Sequence, residues 1–143
     1  MNPRFKAYAV VILLLLGALL LSAQEPYRPK FSGDPARSES EAAALGYSRV
    51  LSGAERAYKK KHGEYASSLQ LLVGHGSFTK RMTSPNRGDY KVRFKGAGEG
   101  FSLWMDAEPQ PSSNHRSFFT DERGGIRAEE EKAAGPESPF AKP

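Results

Sequence analysis

The stretch from Ser38 to Gly63 has one good solution, a single long helix. Ser38-Glu39-Ser40-Glu41 sets an N-cap hydroxyl ahead of acids that suit the positive helix terminus, and Glu41 stands where a capping box returns its carboxylate to the cap amide. Ala43, Tyr47, Val50, Leu51, Ala54, Ala57 and Tyr58 then recur within an arc of roughly 120° at 100° per residue. Ser48, Ser52, Glu55, Arg56 and Lys59 fall outside it. Lys59, Lys60 and Lys61 complement the negative end, and His62-Gly63 reads as a stop. Gly46 and Gly53 interrupt this logic, because each costs ~1 kcal/mol against Ala in a helix. They share one edge of the apolar arc, so they read as a place where another backbone comes close. The domain's own sheet is the first expectation and a partner helix the second; a tolerated local weakness in the helix is the plainer alternative.

Upstream, no helix can run through Pro26, Pro29 and Pro35, since proline lacks the amide and clashes with the preceding turn. Residues 24–37 are therefore read as a Pro-rich linker. It severs the helix from an apolar run, Ala7 to Leu21, that follows Arg4 and Lys6. A basic start, a short apolar stretch and Ala23 form a secretory signal pattern with cleavage after Ala23. An uncleaved anchor is the rival, although the run falls short of the ~20 residues that span a bilayer. Either way, residues 1–23 are a signal peptide or N-terminal membrane anchor. The rest is expected to be exported, as a periplasmic or extracellular protein or one anchored to the inner membrane, with membrane contact only through residues 7–23.

The 143-residue chain has no cysteine, which removes disulfides, thiolate metal sites and a Cys nucleophile together. Beyond Arg4 and Lys6, 19 of its 21 Lys and Arg face 16 Asp and Glu. So mild an excess gives no argument for nucleic acid.

Downstream of the helix, Tyr65 to Val73 reads as a short second helix closed by Gly74-His75-Gly76. Tyr90, Val92 and Phe94 alternate with Lys91, Arg93 and Lys95, and Phe101, Leu103, Met105 and Ala107 alternate again after a Gly-rich turn. These are half-buried strands of a hairpin. Arg116 to Thr120 and a segment around Ile126 make two more. The expected fold class is α+β: one long N-terminal helix plus a short helix packed on a four-stranded antiparallel β-meander, residues 38–128. Tyr47, Val50, Ala54 and Tyr58 are expected to face the hairpin's apolar side chains. Residues 129–143, acidic and then rich in Pro and Ala, read as a disordered tail.

In this order the pieces resemble bacterial type IV pilin-like and type II secretion pseudopilin-like head domains. The run SEAAALGYSRVLSGAERAYKKKHGEYASSLQLL is similar to their long helix and the turn after it. DYKVRFKGAGEGFSLWMDAEP is similar to their first hairpin, and RSFFTDERGGIR to the closing one. The likeness covers about Glu41 to Arg127. It implies a non-catalytic accessory component of a secretion or pilus-like system, with apparatus proteins as partners; a stand-alone exported binding module is the alternative. The chain lacks the family's Gly-Phe-Thr-Leu-x-Glu start and has no acid between Ala7 and Ala23, which puts ordinary filament assembly in doubt.

Residue by residue, no catalytic, cofactor or metal site is expected. His62, His75 and His115 are not spaced as ligands in sequence, and there is no G-x-S-x-G elbow. Asp121 and Glu122 offer too few oxygens for calcium and read as a hairpin turn. A small hydrolase therefore ranks last among the readings. Trp104 is placed on the strand face opposite Phe101, Leu103 and Met105, beside Lys91, Arg93 and Lys95. There it serves either as a partner or glycan surface or as a cover beneath a loop or the tail. The candidate partner-binding residues are thus Gly46, Gly53 and Trp104.

Overall fold

A computed structural model describes residues 26–108 and 115–143; the expected signal or anchor, residues 1–23, lies outside them. Among the described residues no helix is long and apolar enough to cross a membrane. The fold is α+β. Helix α1 runs Glu39–His62, with Ser38 Oγ accepting the Glu41 amide and Gly63 closing the last turn at φ 83°, a left-handed conformation that favours glycine. The return half of the expected capping box is different. Glu41 accepts the Arg37 amide at 2.9 Å rather than that of Ser38, and its other oxygen is drawn to Arg116.

The sheet has five strands, not four: β1 (Asn86–Arg87), β2 (Tyr90–Ala97), β3 (Gly100–Ala107), β4 (Ser117–Asp121) and β5 (Arg127–Glu129), all antiparallel in that order. β1 is two residues long, too short for any periodicity to reveal it. The expected second helix is a 3-10 turn, Leu69–Leu72, and another lies at Lys80–Thr83. Between α1 and the sheet the core gathers Leu45, Leu51, Leu72, Phe78, Leu103, Met105 and Phe118.

The buried face of α1 is rotated from the expected one. Ala44, Leu45, Tyr47, Ser48, Leu51, Ala54 and Glu55 are buried, whereas Val50, Ala57 and Tyr58 are half-buried and Ala43 is exposed. The polar members of the inner face misled the hydropathy pattern because each finds a partner in the fold that the pattern does not register. Ser48 Oγ donates to the Ala44 carbonyl at 3.0 Å, Glu55 accepts the Ala66 amide at 3.0 Å, and Glu41 faces Arg116.

Both flanking segments pack on the domain. In the linker, Asp34 accepts hydrogen bonds from the Tyr27 hydroxyl and from the Lys30 and Ala36 amides, and Ala36 joins the core. The segment expected as a disordered tail runs along β5 instead. The Ala128 amide donates to the Pro139 carbonyl at 2.9 Å and the Ala141 amide to the Ile126 carbonyl at 2.8 Å, while Ala134 and Ser138 are buried. Its composition suggests disorder, but an unpaired sheet edge offers backbone partners that composition does not register.

One buried cation joins these segments. The Arg116 guanidinium donates to Glu41, to the Pro35 carbonyl and to the Lys142 carbonyl, pinning helix start, linker and tail at one point.

At the other end of the sheet, a Cβ on Gly96 would lie 1.8 Å from the Ala66 carbonyl oxygen. Gly96→Ala is therefore expected to push the hairpin off the turn and destabilise the fold by at least about 2 kcal/mol. Chemical denaturation measures this, and an unchanged midpoint would mean that the two backbones do not meet.

Candidate functional site

Among the described residues, a partly enclosed cleft lies along one side of α1. Arg49 and Arg56, two turns apart, form one wall with Ser48 and Ser52; the β4–β5 turn, Asp121 to Ile126, forms the other; Phe101 and Tyr65 close the floor. The cavity holds about 330 Å³, within the usual range for ligand clefts. The two walls differ in charge. Asp121 is already engaged, accepting the Arg123 amide at 3.1 Å and its guanidinium at 2.9 and 2.7 Å. Glu122 accepts the Phe101 amide at 3.2 Å. Among the described residues, neither Arg49 nor Arg56 is in an ion pair. The Arg49 guanidinium instead lies 5.2 Å from the ring centroid of Phe31, an aromatic that is 52% exposed. An exposed aromatic stacked on an unpaired arginine beside an apolar floor is the composition of a binding hot spot.

The residues singled out from sequence fare differently. Gly46 and Gly53 are not pressed against the domain's own sheet: no atom lies within 4 Å of where a Cβ would stand on either. They sit with Ala43, Val50 and Ala57 on a partly exposed side of the helix, so the expected close packing on the sheet is corrected. The close approach to this helix comes from Gly76, whose Cβ would lie 3.6 Å from Ala54 backbone atoms. Trp104 is on the outer sheet face as expected, in a row set by the register Arg93–Trp104–Phe119–Arg127. Its ring packs on Phe119 at 5.4 Å between centroids. Arg93, tied to Asp106, covers it at 4.8 Å. Trp104 is half-buried and Phe119 buried; the contacts on the ring come from these sheet neighbours rather than from a loop or the tail.

The histidines are brought into company that their spacing did not suggest. His62 and His75 both pack on the Tyr58 ring, 5.6 Å apart between centroids. His115 stands between Ser38 Oγ at 3.4 Å and Asp89 at 3.3 Å. The Ser–His–Asp types echo a nucleophile triad, but Ser38 Oγ already accepts the Glu41 amide. Asp89 is also shared with Ser40 at 2.6 Å. The cluster caps the helix and ties it to the β1–β2 turn.

Glu55 is a buried acid without a cation, and unlike Asp34 it is not fully hydrogen-bonded. Its second oxygen has no hydrogen-bond partner among the described residues, and burial pushes its carboxyl up to about 7 against the pull of the Ala66 amide. An acid held protonated to higher pH in the fold than in the open chain favours folding fully below about 4.3. That contribution is lost as pH rises through 7. Glu55→Gln should therefore gain in melting temperature over the parent as pH is raised from 5 to 8, read by circular dichroism. A gap that does not change with pH would contradict this placement.

Sequence reasoning missed Arg49, Arg56 and Phe31 as a group. The available signal was a pair of arginines seven residues apart on the helix flank, which without the turn opposite reads as a solvated face. No family model, curated protein or solved structure matches the chain.

Proposed function

We propose that the chain is a non-catalytic, exported pilin/pseudopilin-like protein that serves as an accessory component of a type II secretion or type IV pilus-like system. The observation that carries this reading is the order of parts: one long capped helix, followed by an antiparallel meander against which it packs. That order, with the motifs between Glu41 and Arg127, is what such head domains require. A bacterial inner membrane is the expected site of export, directed by Arg4, Lys6 and the apolar run after them.

The proposal includes a departure from filament-forming relatives. The chain has no acid in its apolar run, and Pro26, Pro29 and Pro35 separate that run from the helix. It is expected not to polymerise alone, and its partly exposed helix side at Gly46 and Gly53 is offered to another protein. Electron microscopy of the purified chain and of cells overproducing it tests this. Single particles are expected; filaments built from this chain alone would overturn the reading.

A second reading, a stand-alone exported binding module, is favoured by the cavity between α1 and the β4–β5 turn, since a site of that kind needs no apparatus. N-terminal sequencing of the product separates release from anchoring. Cleavage is expected after Ala23, and a product retaining Met1 in the membrane fraction would favour the anchor.

A further inference from the structure

The cavity beside α1 has a charge asymmetry that selects its occupant. On one wall Arg49 and Arg56 carry guanidinium groups with no carboxylate partner among the described residues, and guanidinium pairs carboxylate in a planar, two-pronged manner. The Arg49 charge acts on the buried linker carboxylate of Asp34 without an ion-pair contact; that carboxylate is already held by Tyr27 and two backbone amides. On the opposite wall Asp121 is held by Arg123, and Glu122 stands at the rim. Between them Phe101 and Tyr65 supply an aromatic floor, and Phe31 stands exposed next to Arg49. A lipid surface is a poor fit, because a sheet of headgroups cannot enter a cleft with acids along its far wall. An extended peptide fits: its carboxylates meet the arginine wall, an apolar side chain meets the floor, and its amides face the Glu122 side.

Spacing narrows the sequence of that peptide. Seven helical residues place Arg49 and Arg56 about 10.5 Å apart along the axis. An extended chain covers that distance in about three residues, at ~3.3 Å each. We infer that the cleft between α1 and the β4–β5 turn is a docking site for an extended acidic peptide segment, with two carboxylates about three residues apart and an apolar residue between them. The inference rests on the reading of this chain as a docking component, but not on which assembly it serves.

The test uses the full-length chain in non-ionic detergent and a fluorescein-labelled hexapeptide with two glutamates three residues apart and a leucine between. A counterpart with glutamines replaces the acids, and binding is read by anisotropy. Saturable binding of the glutamate peptide is expected, weakened at least tenfold in Arg49→Glu/Arg56→Glu and in the milder Arg49→Gln/Arg56→Gln. It should be unchanged in Lys60→Glu/Lys61→Glu, which makes the same charge change at the helix end. Melting curves of each variant confirm that folding is retained. Equal binding of the glutamine peptide, equal loss in the lysine control, an unaffected arginine variant, or no saturation at millimolar peptide would each overturn the site. Failure here would leave co-purification with an apparatus untouched, and the reverse also holds.

Discussion

Replacing Glu41 by alanine should destabilise the domain by about 3–5 kcal/mol, the cost of leaving a buried cation without its partner. For a domain of this size the melting temperature falls by roughly 10 °C or more. Glu41 and Arg116 are 1% and 5% exposed and are joined at 2.8 Å. Glu41 also takes the amides of Arg37 and Arg116. Burial alone would raise the Glu41 carboxyl, but the Arg116 side chain and the two amides outweigh it and hold it below the ordinary range. The contribution is therefore present above about pH 4.3, the unfolded value, and is lost as pH falls through the lower folded one. Because Arg116 also holds the Pro35 and Lys142 carbonyls, the variant should lose both flanks at once. Trypsin cleavage at Lys30, Arg37 and Lys132 should accelerate together. Glu41→Leu combined with Arg116→Met should recover much of the loss, since apolar replacement of a buried ion pair is often neutral. If Glu41→Ala melts with the parent, the clasp contributes nothing to the fold.

Leu51→Asp should abolish folding at 37 °C, whereas Val50→Asp should cost only about 1–2 kcal/mol, because Val50 is half-buried at the edge of the core and the new carboxylate can reach solvent. Leu51 is 0% exposed within the core. Truncating such a leucine to alanine already costs about 2–5 kcal/mol, and a carboxylate without a partner adds its desolvation. Val50 lies toward the side of α1 that carries Gly46 and Gly53. Urea denaturation of both variants decides the rotation of the helix. A severe Val50→Asp with a tolerated Leu51→Asp would reverse the face described above.

The helix, its caps and the β2–β3 hairpin were legible because local rules set them: a capping serine, a left-handed glycine and period-two alternation over Tyr90–Phe94 and Phe101–Ala107. What could not be read depended on partners distant in sequence. Glu41 and Glu55 resemble solvent-facing residues until Arg116 and the Ala66 amide are brought beside them. Residues 129–143 resemble a solvated tail until β5 offers its edge. The same holds for the cleft. Arg49, Arg56 and the turn at Asp121–Ile126 are unremarkable separately, and only the meander's return along α1 makes them walls of one site. Trp104 lies on the face the alternation indicates, where Arg93 and Phe119, brought beside it by the sheet register, pack on its ring.

The proposed role is tested most directly by affinity purification of an epitope-tagged full chain from the membrane fraction of the cell that makes it, after mild crosslinking. The account predicts that components of a type II secretion or type IV pilus-like apparatus are recovered with the tagged chain, in an amount that saturates with apparatus abundance. Recovery of the chain alone, free in the periplasm or outside the cell, would contradict the accessory role.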